Sequence, residues 1–276
     1  MRELVVISGK GGTGKTSLLA AFAALAQRCV IVDCDVDAPD LHVVLDPAVE
    51  TREAFVGGKT ARIKPGHCVA CGKCEELCRF DAIFFDGPGN GLEPKTFRVD
   101  PLACEGCGVC AWFCEEKAIS LEPTVRGEWY RSSTRRGTML HARLNPASGN
   151  SGKLVSKLRE EGRRRAEEEG ADLVLIDGSP GIGCPVIASL TGSSLALVVT
   201  EPSVAGEHDM LRVLTLAKEM SIPLVVCVNR ADVDEQMAGR IERRALQEGA
   251  ALLPRVPFDP AVTEAQVQGK PVVEMS

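Results

Sequence analysis

Two groups of residues have the types and spacing to do chemistry. The first is Ser8-Gly9-Lys10-Gly11-Gly12-Thr13-Gly14-Lys15-Thr16-Ser17, which fits the phosphate-loop pattern G-x4-G-K-S/T through Gly9, Gly14, Lys15 and Thr16. Glycines there permit positive φ, so successive backbone N–H groups can curl around phosphate oxygens, and a helix start adds partial positive charge at the same point. Lys15 would reach the β- and γ-phosphates and Thr16 would ligate Mg²⁺. The second group is eight cysteines in two runs, Cys68-x2-Cys71-x2-Cys74-x3-Cys78 and Cys104-x2-Cys107-x2-Cys110-x3-Cys114. This is the spacing of [4Fe–4S] ligation, in which three cysteines wrap one cluster and the fourth reaches the other. The expected sets are therefore Cys68, Cys71, Cys74 and Cys114 on cluster 1, and Cys104, Cys107, Cys110 and Cys78 on cluster 2. Zinc is the competing ligand, but zinc sites pair two C-x2-C knuckles rather than two three-plus-one sets.

The two cysteine runs also match beyond cysteine. Cys78-Arg79-Phe80-Asp81-Ala82-Ile83 aligns with Cys114-Glu115-Glu116-Lys117-Ala118-Ile119, and in each Ala-Ile begins a strand after a short turn. The repeat resembles that of bacterial two-cluster ferredoxins. It departs from them where those carry proline after the fourth cysteine; here the residues are Arg79 and Glu115. That position shapes chain direction and tuning, not ligation.

Acids complete the first group. Leu173-Val174-Leu175-Ile176-Asp177 has the Walker B pattern, a buried strand ending in an aspartate that holds Mg²⁺, and Asp177-Gly178-Ser179-Pro180-Gly181 can follow a γ-phosphate as a switch. Asp33, Asp35, Asp37 and Asp40 follow another apolar run, Val30-Ile31-Val32, where doubly wound sheets bind ligands. Asn229-Arg230-Ala231-Asp232, after Leu224–Val228, loosely fits the guanine-reading pattern N-K/R-x-D.

The elements that must position these residues follow from pattern. Leu4–Ile7 reads as a buried strand before the loop and Ser17–Gln27 as the helix after it. Further strands are expected at Leu195–Thr200, Leu224–Val228 and Met139–Leu144, with helices from about Ser151 and from about Gly206. The charged run from Arg159 to Glu169 reads as a solvated helix face. The fold class is α/β: a doubly wound, mostly parallel phosphate-loop sheet with an inserted ferredoxin-like α+β module. The expected boundaries are 1–59 and 124–276 for a discontinuous ATPase core and 60–123 for the insert.

Lys10 narrows the family. K-G-G-T-G-K-T resembles the deviant Walker A loop of the MinD/ParA and nitrogenase-iron-protein superfamily, and the whole chain resembles those members that carry an inserted two-cluster ferredoxin domain. The resemblance implies that Lys10 reaches across a nucleotide-sandwich dimer and that Asp35, in switch I, positions the attacking water. It implies that Asn229 reads an adenine edge, with Pro257 and Asp259 packed beside the base, so that the nucleotide is ATP. It also implies a homodimer, or a heterodimer with a similar chain, acting on a redox or metal-cofactor partner. The function expected is ATP hydrolysis coupling a dimer switch to electron transfer or metal-cofactor assembly through two [4Fe–4S] clusters. A different class of function is a nucleotide-switched scaffold in which the clusters are structural. Cys184 follows switch II, where the iron protein has a bridging cysteine; its usual second cysteine has no counterpart between Cys114 and Cys184, so a standard bridging cluster is not expected.

Composition removes other classes. Net charge is −6 and aromatic content 4%, which argues against a nucleic-acid surface. Met1–Glu3 runs straight into the first strand, no stretch has membrane-spanning length, and 271–276 is not a basic amphipathic anchor, so a cytoplasmic protein is expected. Twelve cysteines in such a protein point to metal or redox chemistry rather than disulfides.

Overall fold

In the computed structural model, which describes residues 1–146, 149 and 151–275, the apolar runs become the strands of a mostly parallel sheet. β1 (Arg2–Ile7) leads to α1 (Lys15–Leu25), β2 (Cys29–Asp33), the short α2 (Leu41–Leu45) and the long β3 (Ala48–Ile63). The cysteine runs carry α3 (Lys73–Glu76), β4 (Ile83–Gly87), β5 (Thr96–Val99) and α4 (Val109–Trp112). Then come β6 (Ile119–Thr134), β7 (Gly137–Leu144), α5 (Ser151–Glu169), β8 (Leu173–Asp177), α6 (Cys184–Leu190) and β9 (Leu195–Thr200). The chain continues through α7 (Val204–Glu219), β10 (Leu224–Val228), α8 (Glu235–Gln247), β11 (Ala251–Leu252) and α9 (Ala261–Val267).

The sheet order is β11-β10-β9-β1-β8-β2-β7-β6-β3, parallel from β11 through β7. Runs such as Val5-Val6-Ile7 and Val30-Ile31-Val32 are buried throughout because helices cover both faces of such a sheet. The register aligns Asp33 of β2 with Asp177 of β8, so both acids finish their strands beside the loop that leaves β1.

Two compact units divide the chain. One comprises Met1–Glu53, Trp129–Arg143 and Ser151–Ser276; the other comprises Ala54–Glu128 and Leu144–Asn150. The second is wider than the 60–123 stretch marked by composition, because β3 and β6 run through the boundaries as continuous strands whose polar alternation hides them. Its own core is small: Ala61, Ile63, Ala82, Ile83, Phe97 and Ile119, with Cys104 buried among them and Cys68, Cys74, Cys78, Cys110 and Cys114 packed against it.

The charged run of α5 is not wholly solvated. Arg159 is buried and pairs with Glu3 of β1, and Arg163 takes the same carboxylate. Periodicity alone could not reveal a partner so distant in sequence. The arginine also donates to the carbonyl of Ala188 (2.8 Å), tying α5 to α6.

Candidate functional site

The phosphate loop starts where β1 ends and finishes at the first turn of α1. Gly12 and Gly14 have φ of 78° and 93°, which suits residues without a Cβ. A Cβ on Gly14 would also meet Asn229 Nδ2 at 2.3 Å. The loop borders a cavity of about 680 Å³ lined by Gly11, Gly12, Gly14, Lys15, Thr16 and Ser17 on one side. Asp35, Ser179, Asn229, Pro257 and Asp259 line it from other elements. Thus most of the expected nucleotide-site residues share one cavity. Gly9 packs against Asp209 instead, and Thr13 is buried in the loop.

Charge is concentrated at the inner end. Lys15 Nζ lies 2.9 Å from Asp35 Oδ2 and 3.7 Å from Asp177 Oδ1, while Thr16 Oγ1 donates to Asp177 Oδ2 at 2.7 Å. Burial works against the Lys15 ammonium, but the charges of Asp177 and Asp35 outweigh it and leave its pKa raised. Burial pushes Asp177 up to about 6 despite Lys15 and Thr16. Asp33 is raised well above the carboxylate range, first by burial and then by the charge of Asp177; its Oδ1 accepts from Asp35 N at 3.0 Å. Asp177 Oδ1 and Asp33 Oδ2 are buried without a hydrogen-bond partner. Asp35 and Asp177 share one ammonium, with Asp33 buried beside them, so the two carboxylates outnumber the cation by one charge.

Backbone contacts join the segments that follow the acids. Gly181 N donates to Ser8 O (2.9 Å), and Ser179 Oγ donates to Cys34 O (2.6 Å). The segment after Asp177 is thereby bonded both to the phosphate loop and to the segment after Asp33.

At the far end of the cavity, Asn229 Nδ2 donates to Thr13 O (2.8 Å) and Oδ1 accepts from Arg230 N. One amide proton and one lone pair remain for a ligand. Asp232 accepts from Phe258 N at 2.6 Å and does not line the cavity, whereas Phe258, Pro257 and Asp259 do. Ser17 Oγ accepts from Gln266 Nε2.

Lys10 is held within its own chain: Nζ is 2.6 Å from Glu201 Oε1, and Arg230 approaches the same carboxylate at 3.7 Å. Glu201 is a site residue that sequence reasoning passed over. Its position just after β9, at the same sheet edge as Asp33 and Asp177, was the available signal.

The eight motif cysteines lie in the second unit. Cys68, Cys71, Cys74 and Cys114 line one cavity of about 380 Å³, which Cys110 also borders. Cys78, Cys104, Cys107 and Cys110 line another of only about 20 Å³. The backbone repeats as well. Ala70 and Gly72 have positive φ in the first run, Gly106 and Gly108 at the matching places in the second, and Asp81 and Lys117 match after the fourth cysteines. Amides point at sulfur: Ala82 N to Cys78 (3.4 Å), Ala118 N to Cys114 (3.3 Å) and Ala61 N to Cys104 (3.5 Å). Burial pushes the Cys74 thiol up to about 11. Among the described residues no three His, Cys, Asp or Glu converge on one point that could hold a single metal ion. Cys184 is exposed at the start of α6. No helix among the described residues is long and apolar enough to cross a membrane.

Comparison with known proteins places this architecture. The family model of the CobQ/CobB/MinD/ParA nucleotide-binding domain matches residues 4–272. The chain belongs to that family. Protein MJ0578 of Methanocaldococcus jannaschii, uncharacterized, is 32% identical over 232 residues, 83% of this chain and 78% of its own length. The septum site-determining protein MinD of Pyrococcus horikoshii, solved with Mg-ADP, shares the fold at a TM-score of 0.56 and 17% identity, covering 99% of this chain and 88% of that one. An iron-sulfur cluster carrier protein of Pyrococcus horikoshii is 26% identical over 136 residues, 44% of this chain and 45% of its own.

Proposed function

We propose that this chain is an ATP-hydrolysing iron–sulfur protein, in which a nucleotide-driven dimer switch acts on two [4Fe–4S] clusters that carry electrons to a partner protein. The observation that carries this reading is the segregation of its two chemistries. Gly11, Gly12, Gly14, Lys15, Thr16 and the switch I acid Asp35 border one cavity in the first unit, while the eight cysteines line two cavities in the second, with Cys110 bordering both.

The groups that the reading requires fit the residues present. Mg²⁺ would be held by Thr16 and Asp177, whose buried Oδ1 lacks a partner, and would supply charge neutralisation at the phosphates. Cluster 1 would be held by Cys68, Cys71, Cys74 and Cys114, and cluster 2 by Cys104, Cys107, Cys110 and Cys78; bound clusters supply one-electron redox capacity. A cubane places each thiolate on its own iron, so its sulfurs stand apart around a cavity, whereas zinc needs them to converge on one point. The first set encloses room; the second admits a cluster only if its side chains swing outward, which the exposure of Cys107 permits.

Lys15 leaves Asp35 and Asp177 to meet the β- and γ-phosphates as the nucleotide enters. The amides of Gly11, Gly12 and Gly14 cradle the same oxygens. Asp35, freed from Lys15, orients the attacking water. Asn229 offers its spare amide hydrogen and lone pair to adenine, with Pro257 and Asp259 beside the base. The guanine reading is weaker, because Asp232 is occupied by Phe258 N and does not face the cavity. Lys10 exchanges Glu201 for the phosphates of a second subunit, identical or similar. The name of the iron-sulfur carrier relative favours a second reading, delivery of a cluster to an acceptor.

The experiment is anaerobic purification with iron, sulfide and zinc counts, then redox titration with and without ATP and ADP. The expected result is roughly eight irons per chain, ATP preferred over GTP, and potentials that shift with nucleotide. A colourless, zinc-loaded protein ends the cluster reading. Potentials indifferent to nucleotide end the electron-transfer version, and transfer of iron to an apo-acceptor on ATP addition selects delivery.

A further inference from the structure

The two cysteine runs repeat closely, so a place where the repeat breaks is informative. Cys68 and Cys104 are the first cysteines of their runs, and each has its backbone carbonyl bound by a side chain. Asn90 Nδ2 donates to Cys68 O at 2.8 Å and also to Pro65 O at 2.8 Å. Arg126 Nη2 donates to Cys104 O at 3.0 Å. The same position is served by a neutral amide in one half and a cation in the other.

The two side chains differ in how well they are satisfied. The Asn90 oxygen accepts from Leu92 N and Glu93 N, so its polar atoms are used without any charge being introduced. Arg126 is 8% exposed, and its Nε is buried with no hydrogen-bond partner. Among the described residues no carboxylate pairs with it. A buried guanidinium without an anion is costly, and native interiors supply a counter-charge. The group that the neighbouring Cys104 would hold is itself an anion, because four thiolates outweigh the charge on an oxidised [4Fe–4S] core.

We propose that Arg126 is the counter-cation of the cluster held by Cys78, Cys104, Cys107 and Cys110, and that it makes this cluster the more easily reduced of the two. The inference rests on reading the cysteines as cluster ligands. Reduction adds one negative charge to a cluster, with no bond formed or broken. A nearby cation favours that state, and more strongly when it is out of water. Opposing carboxylates exist on both sides: Glu105 lines the second cavity, and Glu76, Glu115 and Glu116 line the first. Glu105, Glu115 and Glu116 are exposed, and Glu115 is also paired with Lys73. Water and salt screen such charges, whereas Arg126 is shielded from both. The buried cation therefore decides the order. With both clusters in place, a single added electron would reside on the one held by Cys78, Cys104, Cys107 and Cys110, where Arg126 offsets the added negative charge.

The test is an anaerobic redox titration of the full chain, followed by electron paramagnetic resonance, on the parent and on Arg126→Gln, Arg126→Lys and Asn90→Lys. The parent should show two waves. In Arg126→Gln only the higher wave should move, to lower potential; Arg126→Lys should largely restore it. Asn90→Lys places a cation at the position matching Arg126, in the half whose cavity has, among the described residues, only the exposed, Glu115-paired Lys73. It should raise the lower wave and narrow the gap. If Arg126→Gln instead loses about half the iron while Arg126→Lys keeps it, the counter-ion role also stands. The inference is overturned if neither wave moves, if the lower wave moves instead, if both move equally, or if Arg126→Gln and Arg126→Lys lose iron alike. A parent that carries no iron at all would overturn the cluster reading itself, a result distinct from two clusters that ignore Arg126.

Discussion

In the first unit, Val6, Ile31 and Leu175 lie wholly out of solvent on neighbouring parallel strands, and Leu19 and Ala23 of α1 pack with them in one core cluster. Each large side chain so buried contributes about 1.5–3 kcal/mol. In the second unit, a handful of aliphatic residues and Phe97 are ringed by cysteines, the helices are four residues long, and β4 and β5 pair only with each other. A core of that size needs staples. The difference teaches that the nucleotide site stands on a self-sufficient scaffold, whereas under the proposed function the sulfur-lined unit would draw its order from the clusters its sulfurs would hold. The two halves of the protein should therefore be separable by experiment.

The largest effect breaks them apart chemically. Lys15→Ala removes the only ammonium that, among the described residues, faces Asp35 and Asp177, and with it the charge that would meet the phosphates. ATP hydrolysis should fall at least ~100-fold, the scale of losing one preorganised charge contact, with iron content unchanged. Iron removal should do the reverse. Amide exchange at Ile63, Ile83, Phe97 and Ile119 should accelerate, while Val5–Ile7 and Val174–Ile176 stay protected. Simultaneous loss of protection in both sets would refute the separation, as would a Lys15→Ala protein that sheds its iron.

This division was only partly readable in the sequence. The phosphate loop and cysteine runs were legible because each is a local pattern whose chemistry depends on neighbours a few residues away. The parallel sheet was legible from its continuous apolar strands. What escaped were pairings across the chain. Glu201 holding Lys10, Glu3 neutralising buried Arg159, and Arg126 reaching the carbonyl of Cys104 each join residues that no local period connects. The extents of β3 and β6 escaped for another reason. Both strands are mixed in polarity, so no composition change marks where one unit gives way to the other.

A smaller effect sharpens the comparison through pH. His141 belongs to the first unit, stacks on Tyr130 with ring centroids 5.0 Å apart, and shares a 2.8 Å hydrogen bond between Nε2 and Ser132 Oγ. Burial, with a smaller contribution from His42, lowers its pKa to about 4. The folded value is below the unfolded one, so His141 contributes stability above the ordinary histidine pKa. That contribution is lost as pH falls towards 4. It amounts to about 2 kcal/mol after allowance for partial exposure. The stability gap between the parent and His141→Gln in urea should shrink over that window, and by the same amount in iron-free protein, if the first unit stands alone. A gap that is flat with pH would show that His141 is not the group responsible.

The smallest expected effect tests the repeat inside the second unit. Ala70 and Gly106 occupy matching places with φ of 52° and 69°. A left-handed conformation costs a residue with a Cβ about 1–2 kcal/mol, and glycine returns about 0.5–1 kcal/mol of that as lost chain entropy. Ala70→Gly should therefore stabilise the iron-loaded second unit by only about 0.5 kcal/mol. Gly106→Ala should cost more than that difference, because its Cβ would lie 2.0 Å from Lys59 O, a backbone atom that cannot swing aside. Chelator-driven loss of iron followed by visible absorption reads both changes. It should be slightly slower than the parent in Ala70→Gly and distinctly faster in Gly106→Ala. Equal and opposite effects would mean that φ alone governs the two turns and that the crowding around Gly106 contributes nothing.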